Sequence, residues 1–360
     1  MNTEDIFRIA PCLRTGPLAS AGLRFVTSAL ALPSSNYSAV LKTWAAYYLF
    51  TAAESAFNQN DNPTPALIMT LNRLERVLTE AYTLNPHFLG AYDTENLGDT
   101  IEAVTGNHYC NLFKAWDDEH YFQEAADLLA TRLIRNDIDL GRISDWNVLD
   151  AGCGGGRYSA AWSKLGAKSV TGLDFSEENI ATARERVRLN NVTFKHGNVL
   201  DIPFEDNSFD VVFCNGVLHH TPDWRRGAGE IVRVLKPGGL GWLYLIENPG
   251  GYFWDVIEIL RTFMLDVDKE LARASLRLIG VPQNRIYYIL DHIMVPINTR
   301  ITEAEIEETL AGYGATNIHK FRRGADFDRI EHIYQGVPYA RMKYGVGENR
   351  YTFTKAGARG

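Results

Sequence analysis

Apolar residues recur at two different spacings along this chain, and the change of spacing divides it. Up to about residue 105 the period is helical. Val40, Leu41, Trp44, Ala45 and Tyr48 make one apolar face, and Leu67, Leu71, Leu74, Val77, Leu78, Ala81 and Tyr82 make another that stops at Asn85-Pro86. A polar, proline-bearing linker, 58–65, lies between them. A third helical pattern, Tyr121, Phe122, Ala125, Leu128, Leu129 and Leu133, comes next. After it, short apolar runs alternate with helical patterns, which predicts an α/β fold with a mostly parallel sheet and crossover helices. The expected strands end at Ala151 and occupy about 168–175, 192–196, 211–215 and 240–247, with two more near 317–322 and 350–355.

The first strand feeds a glycine turn, Asp150-Ala151-Gly152-Cys153-Gly154-Gly155-Gly156, and a helical pattern follows. Glycines there let a ligand approach the backbone and allow the positive φ angles of a sharp strand-to-helix turn. Such a turn holds a nucleotide-like ligand. The dinucleotide fingerprint Gly-x-Gly-x-x-Gly needs a glycine where this chain has Arg157, whereas Asp150, Gly152, Gly154 and Gly156 make Asp-x-Gly-x-Gly-x-Gly. Asp174 ends the second strand close to the roughly 20-residue offset of a ribose-binding carboxylate. Ser176 is the expected cap of the next helix, with Glu177 and Glu178 at its positive end.

The glycine pattern resembles motif I of the class I S-adenosylmethionine-dependent methyltransferases. Further segments in order strengthen it: Gly197-Asn198-Val199 after strand three, the strand ending at Asn215, Gly216-Val217-Leu218-His219-His220, and Leu235-Lys236-Pro237-Gly238-Gly239. The likeness is greatest to the small-molecule group that includes the ubiquinone/menaquinone C-methylases. It covers roughly 107–247, and more faintly 300 to the C-terminus. It implies a Rossmann-like, seven-stranded, mostly parallel sheet with helices on both faces, plus an N-terminal helical region and a helical lid insertion. The corresponding domains are a helical accessory region, 1–105, and a methyltransferase domain, 106–360, with insertions at about 252–298 and 324–348.

For the cofactor, the resemblance implies S-adenosyl-L-methionine, bound through Asp150, Gly152, Gly154, Gly156 and Asp174, with Phe175 against the adenine. Asn198 stands where the family usually has an acid contacting the adenine amine; its amide oxygen can still accept from one. Val199 and Asn215 complete that wall. Tyr109, in the segment before motif I, is the expected aromatic facing the sulfonium.

Composition narrows the partners. The formal net charge of -8 argues against a broad nucleic-acid footprint, which needs clustered basic surface. The N-terminal stretch has no basic region, and no run approaches a membrane span, so neither secretion nor a membrane partner is expected. The four cysteines lack Cys-x-x-Cys spacing, which fits a reducing cytoplasm and gives no metal site.

Methyl transfer mostly requires positioning, with a base only where the nucleophile carries a proton. His220, or His219, after strand four is the expected base, against the alternative that both pack within their loop. Tyr252 in the first insertion, and Arg329 and Tyr339 in the second, form the expected substrate wall. The alternative is a homodimer contact or a solvated loop. The function read from all this is methyl transfer to oxygen, nitrogen or carbon of a small metabolite, yielding S-adenosylhomocysteine. Two alternatives stand: a protein or RNA methyltransferase, and a scaffold that binds the cofactor without catalysis.

Overall fold

The computed structural model describes residues 2–84 and 118–357, and the described residues divide between two compact units. Tyr109 and its aromatic neighbours lie outside the described residues.

Of the described residues, one unit takes 118–249, 296–336 and 345–357. Its strands are β1 Asn147–Ala151, β2 Ser169–Asp174, β3 Val192–His196, β4 Phe209–Asn215, β5 Leu235–Leu245, β6 Ala315–Lys320 and β7 Asn349–Lys355. They form one sheet in the order β3-β2-β1-β4-β5-β7-β6. The first five run parallel, and β7 is antiparallel to both its neighbours. Both faces are covered, which is why the central strands read as continuous apolar runs. Leu149, Leu173, Val212 and Leu243 enter one core; Val148, Val170, Phe213 and Trp242 enter the other with Trp162 and the Asp118–Ile134 helix.

The structure differs from the sequence reading at β5. That strand begins at Leu235, directly after the Trp224–Val234 helix, rather than at residue 240. Its register shifts between Pro237 and Leu240. A proline has no N–H to give a neighbouring strand, and Gly238 takes φ +74°, so the segment looks like a turn in sequence while still starting the strand.

Of the described residues, the other unit takes 2–84, 250–295 and 337–344. It is helical: Thr3–Ile9, Cys12–Thr15, Ala19–Leu30, Asn36–Asn58 and Thr64–Leu84, then Gly251–Phe263, Lys269–Leu278 and Gln283–Met294, and last Ala340–Tyr344. The segment after β5 thus packs with the N-terminal helices. Phe25 stacks on Phe263 with centroids 4.2 Å apart. The Lys42 ammonium, on a fully buried side chain, donates to both Asp266 oxygens at 2.9 and 2.7 Å. Lys343, also buried, donates to the Gln59 carbonyl at 2.6 Å.

Candidate active site

Parallel strands of one sheet bring their carboxyl ends to one edge, and the crevice beyond that edge is where open α/β sheets take ligands. At the end of β1 the chain turns sharply. Gly152 and Cys153 both donate backbone N–H bonds to the Leu173 carbonyl, at 2.7 and 2.9 Å, which folds the loop back over β2. Gly152, Gly154 and Gly156 have φ of +84°, +51° and +83°. Two of them are also pinned by space. A Cβ on Gly152 would lie 2.4 Å from a Val217 methyl, and one on Gly156 would lie 2.9 Å from the Phe194 ring. The Arg157–Lys164 helix starts immediately after this turn.

Asp174 reaches back into the loop. One carboxylate oxygen accepts the Gly154 N–H at 2.8 Å; the other accepts the Ser176 N–H at 2.9 Å and the Asn179 amide at 3.1 Å. Ser176 caps the Glu177–Arg186 helix by accepting the Asn179 N–H. Burial pushes the Asp174 carboxyl up, and these three donors pull against it. Asp150 is more deeply buried. Its carboxylate accepts the Ser159 hydroxyl at 2.6 Å, yet burial and the nearby Asp174 charge raise its pKa to about 7. Phe175, just past Asp174, is half exposed, with its ring 6.1 Å from that of His196.

After β3, the Asn198 side-chain oxygen accepts the Leu200 N–H at 2.8 Å, which turns the chain, and Val199 is buried. Asn215 ends β4 and accepts from the Trp242 indole at 3.2 Å. The Leu218–His220 turn follows. His219 is buried with its ring 6.1 Å from that of Tyr244, and the two histidine rings lie 4.1 Å apart. His220 is half-buried, and its Nδ1 lies 2.8 Å from the Ile297 carbonyl. A carbonyl only accepts, so Nδ1 carries the proton of the neutral ring and Nε2 is the basic nitrogen.

Asp150, the three glycines, Asp174, Asn198, Val199, Asn215 and both histidines therefore sit on one edge of the sheet unit. Arg329 is in the same unit, where its guanidinium donates at 2.9 Å to Glu247, whose side chain is fully buried beyond β5. Tyr252 and Tyr339 belong to the helical unit. Tyr252 is buried, with its hydroxyl 2.8 Å from that of Thr64, and Tyr339 is half exposed with φ +60°. Sequence reasoning missed Ser159, Val217, Tyr244, Glu247 and Asn298. Glu247 and Arg329 are 82 residues apart in the chain, so no local pattern announces the pair.

A family model described as a methyltransferase domain matches residues 149–243, from β1 through the middle of β5. Residues 149–243 carry a methyltransferase domain. Over 102 residues it is 45% identical to demethylmenaquinone methyltransferase of Listeria welshimeri, covering 26% of this chain and 42% of that protein. The enzyme of the same name from Staphylococcus aureus is 40% identical over 105 residues, 28% and 44% of the two chains. The methyltransferase domain thus spans less than half the length of these curated relatives. Among solved structures, an S-adenosylmethionine-dependent methyltransferase from Mesorhizobium loti overlaps 65% of this chain and all of its own, at 16% identity and TM-score 0.43. The Bacillus subtilis YcgJ protein overlaps 66% of this chain at 18% identity and TM-score 0.42. Among the described residues no helix is long and apolar enough to cross a membrane.

Proposed function

We propose that this protein methylates a ring carbon of a small hydroquinone of the reduced demethylmenaquinone type, using S-adenosylmethionine. One observation carries the cofactor half of this reading. The second-strand acid and the glycine turn, read separately from sequence, are joined by the 2.8 Å bond from the Gly154 N–H to Asp174. The donor set fits an adenosyl amino acid: a loop with close backbone approach, and a carboxylate that still has a lone-pair site for a sugar hydroxyl beside the three donors it already accepts. The acceptor half draws on the named relatives.

Bound S-adenosylmethionine supplies a methyl group on an electron-poor sulfonium. The protein's own residues do the rest. Asp174 would hold a ribose hydroxyl, and Gly152 and Gly154 would leave their backbone open to the ligand. His220 takes the hydroxyl proton through Nε2, which raises electron density on the ring carbon beside it. A carbon–methyl bond forms as the methyl–sulfur bond breaks, the ring C–H proton then restores the hydroxyl, and one proton leaves through His220 for each turnover. Cys153 and Cys214 are buried thiols, which fits the reducing cytoplasm expected from the cysteine spacing.

The test uses methyl-labelled cofactor with reduced demethylmenaquinone under argon. Label is expected in the ring, with S-adenosylhomocysteine as co-product. Asp174→Ala is expected to weaken cofactor binding by about 1–3 kcal/mol in calorimetry, the cost of unmet polar partners. No binding of S-adenosylmethionine to the unchanged protein overturns the reading.

A further inference from the structure

Residues 296–302 cross the carboxyl edge of the sheet as a strap. The Ile297 carbonyl holds His220 Nδ1 at 2.8 Å, and two residues on the Thr299 N–H donates to the His219 carbonyl at 2.9 Å. Farther along, the Ile301 N–H donates to the Ile246 carbonyl at 2.9 Å, and the Ile301 carbonyl accepts the Asn248 N–H at 3.1 Å. The strap thus ties the histidine turn after β4 to the chain leaving β5.

Asn298 is the residue between the two that hold the histidines. Its side-chain oxygen is buried and has no hydrogen-bond partner. An amide oxygen taken out of water and given no donor costs about 1–3 kcal/mol, and a buried polar atom left this way calls for a reason. An oxygen of this kind can only accept, so what completes it is a ligand carrying an O–H or N–H. Its backbone lies between the Ile297 carbonyl that holds the His220 ring and the Thr299 N–H that holds the His219 carbonyl.

We propose that Asn298 binds the methyl acceptor, its side-chain oxygen accepting a hydrogen bond from a hydroxyl of the hydroquinone. This inference rests on the methyl-transfer reading above and deepens it into a rule of selectivity. A hydroquinone offers hydroxyl donors, whereas the oxidised quinone offers only carbonyls, which cannot satisfy an accepting oxygen. Asn298 therefore makes the site prefer the reduced ring, the only form whose carbon is nucleophilic.

The experiment measures equilibrium binding of a short-chain demethylmenaquinone, reduced under argon or oxidised, to protein loaded with S-adenosylhomocysteine. The unchanged protein is expected to bind the reduced form more tightly. Asn298→Leu is expected to lose about 10–100-fold in affinity for the reduced form and little for the oxidised one, the loss of one buried donor–acceptor pair. Asn298→Asp, which keeps an accepting oxygen, is expected to retain the preference. Should the leucine variant lose affinity for S-adenosylhomocysteine, Asn298→Val, which likewise has no accepting oxygen, is read in its place. An unchanged preference in Asn298→Leu or its substitute overturns the Asn298 assignment alone. No binding of either form to the unchanged protein overturns the acceptor reading, and this inference with it.

Discussion

Asp150 is an aspartate that the fold keeps from ionising at its ordinary pH. Burial is the main cause, the Asp174 charge adds to it, and the Ser159 hydroxyl opposes both. Its pKa moves from 3.8 to about 7, so between those values the folded protein binds a proton that the unfolded chain releases. Stability from this group is complete below pH 3.8 and is lost as pH rises through 7, at up to about 1.4 kcal/mol per pH unit. Asp328 works in the opposite sense: burial raises its pKa, but the Arg132 and Arg350 guanidinium groups outweigh that and hold it at about 2. Its contribution is lost only as pH falls from 3.8 towards 2, outside the Asp150 window. Asp150→Asn keeps an oxygen for Ser159 and removes the charge. The ligand-free variant is expected to be more stable than the parent at pH 8, by about 1–3 kcal/mol, with the two converging by pH 4 to 5. Parallel melting curves across that range would refute this account of Asp150.

Among the elements, the Leu218–His220 turn and the strap fixed to it decide how the proposed base behaves. His220 is oriented through Nδ1 by a backbone carbonyl of the strap. His220→Gln is expected to lower kcat by about 10²–10⁴-fold while leaving cofactor affinity nearly unchanged. Stopped-flow turnover beside calorimetry separates the two, and full activity in the variant would leave positioning alone as the mechanism. The glycine turn, Asp174 and the Ser176 cap were legible in the sequence because each depends on neighbours in the chain, such as a strand end, a positive φ or a cap three residues before its donor. The Thr302 capping box is a pattern of the same local kind, with Thr302 and Glu305 three residues apart and bonded reciprocally. Asn298 was not legible, because its meaning comes from a strap that pairs with residues about 50 to 80 positions away in sequence. Ser159 shows the same limit: a serine inside a helical pattern gives no sign that it bonds the acid ending the preceding strand.

For the molecule as a whole, the helical unit is built from three passages of the chain, and the passage after β5 is buried in it. Ile259, Leu260 and Phe263 are fully buried there, and Phe25 from the first passage stacks on Phe263. A truncated chain starting at residue 106, the boundary the sequence pattern favours, lacks that partner. It is expected to aggregate or bind a hydrophobic dye, whereas the full chain stays soluble; a monodisperse truncated chain in size-exclusion chromatography would show that these helices do not need the first passage. The same threading has a temporal side. Gly251 follows Leu84 by 167 residues (251 minus 84), so at the roughly 5–20 residues per second of synthesis the N-terminal helices wait about 8–33 s for their partners. During that interval the Phe25 face is bare on the ribosome while most of the sheet is still being made. The helices that precede the sheet in the chain are thus completed only after most of the sheet has been made.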